Sequence, residues 1–228
     1  IYGISKYFFF PGFQDATGGI LVDPIPLDGE LNRENIPSAL QQTWSKLRPH
    51  AKRISVFCYP GAPLRKWLEN LSSLNEDVDV LLTHGHAEQL NLYGQQALQL
   101  PSNLQLLSIP FVSQDEYDWV LSQCDFNIVR GEDSFVRAQL VGKPFIWHIY
   151  PQEDRAHEVK LAAFLDLYLE EANQELRLAI IAAMTWAMPN EWFGLLDQWS
   201  AYAKRWRGLL LQKQGDGGLA ARLLRFAS

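Results

Sequence analysis

Five short runs rich in apolar and β-branched residues recur between residues 53 and 148, and helically spaced segments separate them. The expected strands are Arg53–Cys58, Val78–Thr83, Leu104–Ile109, Asp125–Val129 and Pro144–His148. Between them the apolar spacing predicts helices over Leu64–Leu74, Ala87–Ala97, Gln114–Gln123 and Asp133–Val141. Strands that alternate with helices of about three turns build right-handed crossovers and a parallel sheet. Several of the runs are apolar at neighbouring positions (Ile54, Val56 and Phe57; Val78, Val80, Leu81 and Leu82), as a sheet covered on both faces requires. The expected class is therefore α/β, a parallel sheet with helices on both sides. Ligands of such sheets bind at the carboxyl ends of the strands, which directs attention to the turns there.

The flanks read differently. Pro37–Leu47 has the start of a helix at Ile36 and Pro37. The preceding stretch 23–35, rich in Pro, Asp, Gly and Asn, reads as a connector. The chain opens on Ile1 rather than Met and enters the apolar run Tyr7–Phe13 without a cap, so it reads as part of something longer. Beyond Tyr150 it turns helical, with expected helices Ala156–Leu169, Asn173–Met188, Glu191–Gln212 and Leu219–Phe226. Trp192, Trp199 and Trp206 recur every seven residues and form a packing stripe. If that helix crosses to a domain outside the chain, part of its apolar face should be bare. The resulting division is residues 1–25 as the end of a preceding domain, 26–170 as the sheet domain and 171–228 as helices packing back toward the preceding domain.

A net charge of −6 argues against nucleic-acid binding and against binding to an anionic membrane, since both want a basic face. No stretch reaches the roughly 18–20 apolar residues of a membrane helix, and no signal sequence is evident. The two cysteines, Cys58 and Cys124, sit in or beside apolar runs, which suits buried thiols in a reducing cytoplasm. His84-Gly85-His86 lacks a third ligand at a useful spacing, so no metal site is expected. Neither a G-x-S-x-G elbow, a P-loop nor a G-x-G-x-x-G turn occurs.

Three turns at the expected carboxyl edge carry candidate chemistry. The first is Asp125–Phe135, where an apolar run ends in Arg130-Gly131 and Glu132-Asp133-Ser134 opens a helix. A helix start offers unpaired backbone N–H groups and the positive end of a dipole to a phosphate. Arg130 adds a permanently charged forked donor, and Gly131 permits close backbone approach. Asp133 or Ser134 is the expected N-cap. Two adjacent carboxylates are a puzzle in an anion site unless they face something else. The second turn follows Phe57-Cys58-Tyr59, with Pro60-Gly61 making the bend. Phe57 reads as core, and Tyr59 either packs or hangs its ring over the edge. At the third, Ser113 and Glu116 fit a capping box. Phe111 and Tyr117 flank Gln114 there, an arrangement suited either to packing or to stacking and reading a planar base. His148 and Tyr150 close the last strand and either pack or face the cleft.

Lys6–Phe13 with Thr17-Gly18-Gly19, Phe57-Cys58-Tyr59, the stretch Arg130–Gln139 (RGEDSFVRAQ) and Pro144–Gln152 (PFIWHIYPQ, preceded by Lys143) together resemble the elongation factor P maturation arginine rhamnosyltransferases, the EarP family. The resemblance implies the C-terminal, Rossmann-like half of a GT-B glycosyltransferase, followed by C-terminal helices. It implies inverting transfer of L-rhamnose from dTDP-β-L-rhamnose to an arginine of elongation factor P, with no metal or other cofactor. Tyr59, Gln114, Arg130, Gly131, Glu132, Asp133 and Ser134 match the family's donor-binding positions. Phe57, Phe111 and Tyr117 match the aromatic lining, and Glu132 the functionally required glutamate. The family's proposed general base, an aspartate near the N-terminus of the full protein, lies outside this sequence, so the chain is expected to bind donor without turning over. The alternatives are a GT-B enzyme for another nucleotide sugar and a non-catalytic module that docks a protein through the tryptophan helix.

Overall fold

Each of the five apolar runs forms a strand in the computed structural model, which describes residues 6–14, 16–22, 36–71, 73–83, 85, 101–187, 191–215 and 217–228. The expected helix over 87–97, His84, His86 and the connector 23–35 lie outside these residues. The strands are β1 (Lys52–Val56), β2 (Val78–Leu82), β3 (Leu104–Ser108), β4 (Phe126–Arg130) and β5 (Phe145–His148). All neighbours pair in parallel, in the order β3-β2-β1-β4-β5. Strand β1 is thus central, with Ile54 opposite Val80 on one side and Phe126 on the other. The chain leaves β1 toward β2 and returns on the opposite side at β4. A crevice opens where strand order reverses in this way, above the carboxyl ends of β1 and β4.

Burial explains why these segments were readable as strands. All five residues of β2 are buried, as are the last three of β1 and the first four of β4. The polar exceptions are satisfied. Asp79, fully buried in β2, accepts from the backbone N–H and Nε of Arg48, both at 2.8 Å. Ser55 donates to Asn127 across the β1–β4 pair.

The helices are α1 (Gln41–Trp44, after a 3-10 turn at Ser38–Leu40), α2 (Leu64–Leu71), α3 (Gln114–Gln123), α4 (Glu132–Val141), α5 (Ala156–Tyr168), α6 (Gln174–Met184), α7 (Glu191–Gly194), α8 (Leu196–Gln214) and α9 (Gly218–Ala227). The expected helices among the described residues appear with ends shifted by a few residues, and Gln114–Gln123 has the expected bounds. Two differences matter. The single helix expected over Glu191–Gln212 is broken at Leu195, whose φ of −100° and ψ of 9° leave the helical region. The helix expected to reach Met188 stops at Met184, and Trp186 adopts a positive φ of 56°.

The tryptophan stripe is not bare. Trp192, Trp199 and Trp206 are all buried, and the first two pack on Phe126 of β4 at ring distances of 4.5 and 5.3 Å. Trp199 Nε1 donates to the Tyr168 hydroxyl at 3.0 Å, and Trp206 Nε1 donates to Gln139 Oε1 of α4 at 2.9 Å. The heptad spacing therefore reports packing of α7 and α8 on the sheet domain itself. The leading segment joins the same end of the molecule. Ile20 donates to Gln214 Oε1 at 2.8 Å and accepts from Leu219 N at 2.9 Å, while Arg222 reaches Thr17 O at 3.2 Å. Among the described residues no helix is long and apolar enough to cross a membrane.

Candidate functional site

The carboxyl ends of β1 and β4 place Phe57–Tyr59 beside Arg130 and Gly131. Gly131, not Asp133 or Ser134, is the N-cap of α4, and no side chain caps this helix start. Its φ of 68° with ψ of 178° is a conformation essentially reserved for glycine. Glu132 and Asp133 fall in the first helical turn, where their charges suit the dipole but their side chains do not cap. The expected cap is wrong for a physical reason: glycine can make the turn alone and leave the first amides open. Trp147 Nε1 donates to Gly131 O at 3.0 Å and pins the turn to β5.

Arg130 ends β4 with its guanidinium stacked on the Phe57 ring at 4.1 Å and 5.0 Å from the Tyr59 ring centre. Its Nη1 donates to Cys58 O at 3.2 Å. Two aromatic faces and a carbonyl thus hold a permanent cation at the crevice, a geometry worth more than a free side chain's charge. Phe57, expected as core, is only half-buried and serves as the platform for this stack. Tyr59 donates its backbone N–H to His148 Nδ1 at 3.0 Å, and its ring meets His148 at 5.7 Å and Tyr150 at 5.2 Å. Burial, reinforced by the Arg130 charge, lowers the pKa of His148, which keeps Nδ1 free to accept. Cys58 and Cys124 are buried thiols, and burial pushes Cys58 up to about 12, against the opposing Arg130 charge.

A cleft of about 520 Å³ opens between these strand ends and the start of α3. Of the expected residues, Phe57, Phe111, Gln114, Tyr117, Arg130, Asp133 and Ser134 line it. Phe111 is 88% exposed and offers an uncovered ring face. Tyr117 packs edge-on against Phe57 at 5.6 Å, and its buried hydroxyl finds no hydrogen-bond partner among the described residues. Ser113 and Glu116 form the expected capping box, fixing the start of α3 and with it Gln114. Gln114 Nε2 donates to Asp133 Oδ2 at 2.6 Å, closing the cleft wall between α3 and α4.

Glu132 lies on the other side of α4. It lines a second cleft of about 390 Å³, bounded by Pro11, Phe13, Phe135, Trp147 and Phe164, with Lys160 of α5 beside it. Lys160 Nζ is 3.2 Å from Glu132 Oε1. Tyr59, His148 and Tyr150 gather at the strand ends without lining either cleft. Sequence reasoning missed Lys160, Trp147, Thr83 and the pair Arg137–Asp118. Only Arg137 left a local signal, its i,i+4 spacing from Asp133. Among the described residues no group of three His, Cys, Asp or Glu side chains is placed to hold a metal ion.

Comparisons with known proteins bear on this site. A family model described as "Elongation-Factor P (EF-P) rhamnosyltransferase EarP" matches residues 1–228. A Pseudomonas aeruginosa protein named protein-arginine rhamnosyltransferase is 36% identical over 247 residues, covering 98% of this chain and 64% of its own length. A Pseudomonas putida protein of the same name is 38% identical over 215 residues, covering 90% of this chain and 56% of its own length. A solved structure described as "Structural basis for EarP-mediated arginine glycosylation of translation elongation factor EF-P" superposes with a TM-score of 0.73. It is 30% identical and covers 97% of this chain and 76% of its own. The chain therefore spans 56–64% of the length of these two curated relatives.

Proposed function

The chain belongs to the elongation factor P rhamnosyltransferase family, EarP, and from that premise we propose that it is the donor-holding part of a protein-arginine rhamnosyltransferase. The observation that carries this reading is the Arg130-Gly131 turn at the sheet's switch point. There an uncapped helix start and a stacked guanidinium face one cleft. In this reading the diphosphate of dTDP-β-L-rhamnose rests on the first amides of α4, with Arg130 and Ser134 beside it. The base lies against Phe57, Phe111 and Tyr117, with Gln114 at its edge.

The chemistry asks for carboxylates as well. A guanidinium is a poor nucleophile because its lone pairs are delocalised and it is protonated at any ordinary pH. Transfer forms a bond from an arginine nitrogen of elongation factor P to the sugar's anomeric carbon, on the face opposite the leaving diphosphate. The carbon–oxygen bond to the diphosphate breaks, configuration inverts, and the nitrogen's proton passes to a carboxylate. Glu132, in its own cleft beside the helix start, addresses the cationic acceptor. Arg130 and the α4 amides stabilise the charge that grows on the leaving diphosphate, with no metal or other cofactor required. The acceptor is a protein of the cytoplasm, and the chain itself is assigned there. The division into 1–25, 26–170 and 171–228 belongs to the same proposal, with the first segment leading in from the acceptor-facing half of a GT-B enzyme.

Calorimetric titration of the chain with dTDP and with UDP tests the reading. dTDP should bind, UDP should bind more weakly, and Arg130→Ala should cost roughly 1.5–3 kcal/mol, the range for a hydrogen bond to a charged group. A folded sample that binds neither nucleotide would remove the donor site. Preference for UDP would instead favour a relative using another nucleotide sugar. The protein-docking alternative is weakened by the burial of its intended docking face, Trp192, Trp199 and Trp206.

A further inference from the structure

We infer that Arg137, held by Asp118, is a positioning residue that neutralises Asp133 so that the start of α4 accepts a diphosphate. The inference rests on the nucleotide reading of the cleft. Its starting point is the pair of carboxylates at that helix start. Glu132 points into the second cleft and meets Lys160. Asp133 lines the nucleotide cleft together with Arg130 and Ser134, where an uncompensated carboxylate would repel the ligand.

Arg137 sits one turn further along α4. Its Nε donates to Asp133 Oδ2 at 3.2 Å and its Nη1 donates to Asp118 Oδ2 of α3. The same Asp133 oxygen accepts from Gln114 Nε2, so donors from both helices hold it. The Arg137 side chain is 12% exposed and that of Asp118 only 2%, whereas Asp133 is 65% exposed. Arg137 itself lines this cleft, so the counter-charge sits in the wall beside Asp133 while remaining largely out of solvent.

An i,i+4 pair by itself is a weak, mobile contact. Asp118 changes that by fixing the guanidinium between two helices. Burying a carboxylate is costly unless it is paired, and Asp118 is paired with Arg137 through one oxygen, while the other finds no hydrogen-bond partner among the described residues. Burial raises the Asp118 carboxyl to about 6 against the pull of Arg137, with Asp115 and Asp133 adding to the rise. Asp118 holds the guanidinium and shares its charge with Asp133.

A plain staple between α3 and α4 is the rival role, and two ligands separate them. Calorimetry on the chain with dTDP and with uncharged thymidine is run for the wild type, Arg137→Met, Arg137→Met with Asp133→Asn, and Asp118→Asn. Arg137→Met should weaken dTDP about tenfold while changing thymidine less than about twofold, and adding Asp133→Asn should restore most of the loss. Asp118→Asn preserves the acceptor and the shape, so it tests the idea even if Arg137→Met fails to fold. It should tighten dTDP about threefold and leave thymidine unchanged, because the whole guanidinium charge then serves Asp133. Equal losses for both ligands, or no change in dTDP, would overturn the inference while leaving the nucleotide site standing. Failure of the wild type to bind dTDP would overturn both.

Discussion

Lys160 holds its ammonium 3.2 Å from Glu132, on the opposite side of α4 from the cleft that Arg130 enters. The two partners are about half and three-quarters exposed, so the pair is screened by water and contributes little to stability. On the proposed function, that weakness would let an incoming guanidinium take the place of Lys160. Glu132→Gln should leave dTDP affinity within about twofold of wild type, since a carboxylate outside the proposed nucleotide cleft contributes little to holding dTDP. In the full-length protein the same change should abolish transfer to elongation factor P. Calorimetry and a mass-shift assay of the acceptor measure the two effects. Loss of dTDP binding in Glu132→Gln would place the carboxylate on the donor side instead.

The turn that precedes Glu132 makes a separate prediction. At Gly131 an added Cβ would meet only the Tyr59 hydroxyl, at an ordinary contact distance of 3.5 Å. Steric conflict is therefore minor, and the backbone decides: a non-glycine residue at φ 68° and ψ 178° costs on the order of 1–3 kcal/mol. Gly131→Ala should lower the unfolding free energy by about that amount in urea titrations. It should also weaken dTDP, because the turn sets where the first α4 amides point. An unchanged denaturation midpoint would mean that the turn relaxes without penalty.

These two residues also show where the sequence was readable. The strands were legible because both-side burial writes itself as apolar runs, as in Val78–Leu82, and the ligand edge follows from parallel topology. Arg130-Gly131 could be placed because a strand end, a glycine and a helix start are all local. The cap was misassigned because Asp133 and Ser134 both resemble capping residues, and nothing local says that glycine takes the position. Lys160 and Asp118 were invisible for a different reason. Each meets its partner only after α3, α4 and α5 pack together, and helix-to-helix register has no local signature. The tryptophan spacing announced packing but not the packing partner, which proved to be Phe126 and Gln139.

Tyr117 offers a substitution expected to stabilise the chain. Its hydroxyl is buried without a hydrogen-bond partner among the described residues, while its ring contacts Phe57. Burial also raises its pKa, so the phenol stays neutral and contributes only the penalty of an unpaired polar group. Tyr117→Phe deletes that group and keeps the ring, which should raise stability by about 1 kcal/mol. A higher midpoint in thermal unfolding with unchanged dTDP affinity is the expected result. A lower midpoint would reveal a hydrogen bond formed through water.

His148 ties the site to pH. Its imidazole accepts the Tyr59 N–H through Nδ1, and burial together with the nearby Arg130 keeps its pKa below the usual histidine value. Above about pH 6.5 the imidazole is neutral in both folded and unfolded chains, and its contribution is fully present. As pH falls below that value the unfolded chain takes up a proton that the folded chain resists, so stability is lost toward the lower, folded pKa. Asp118 works in the opposite sense, because its carboxyl is raised to about 6 and its contribution fades as pH rises. The wild-type profile is therefore a mixture, and a variant is needed to isolate the histidine. His148→Asn retains an acceptor for the Tyr59 N–H but cannot titrate. Between pH 7.5 and pH 5 (a window set by the usual histidine pKa of about 6.5), the wild type should lose more thermal stability than His148→Asn. Parallel profiles for the two proteins would show that His148 titrates alike in the folded and unfolded chain, and that neither its burial nor Arg130 affects its proton.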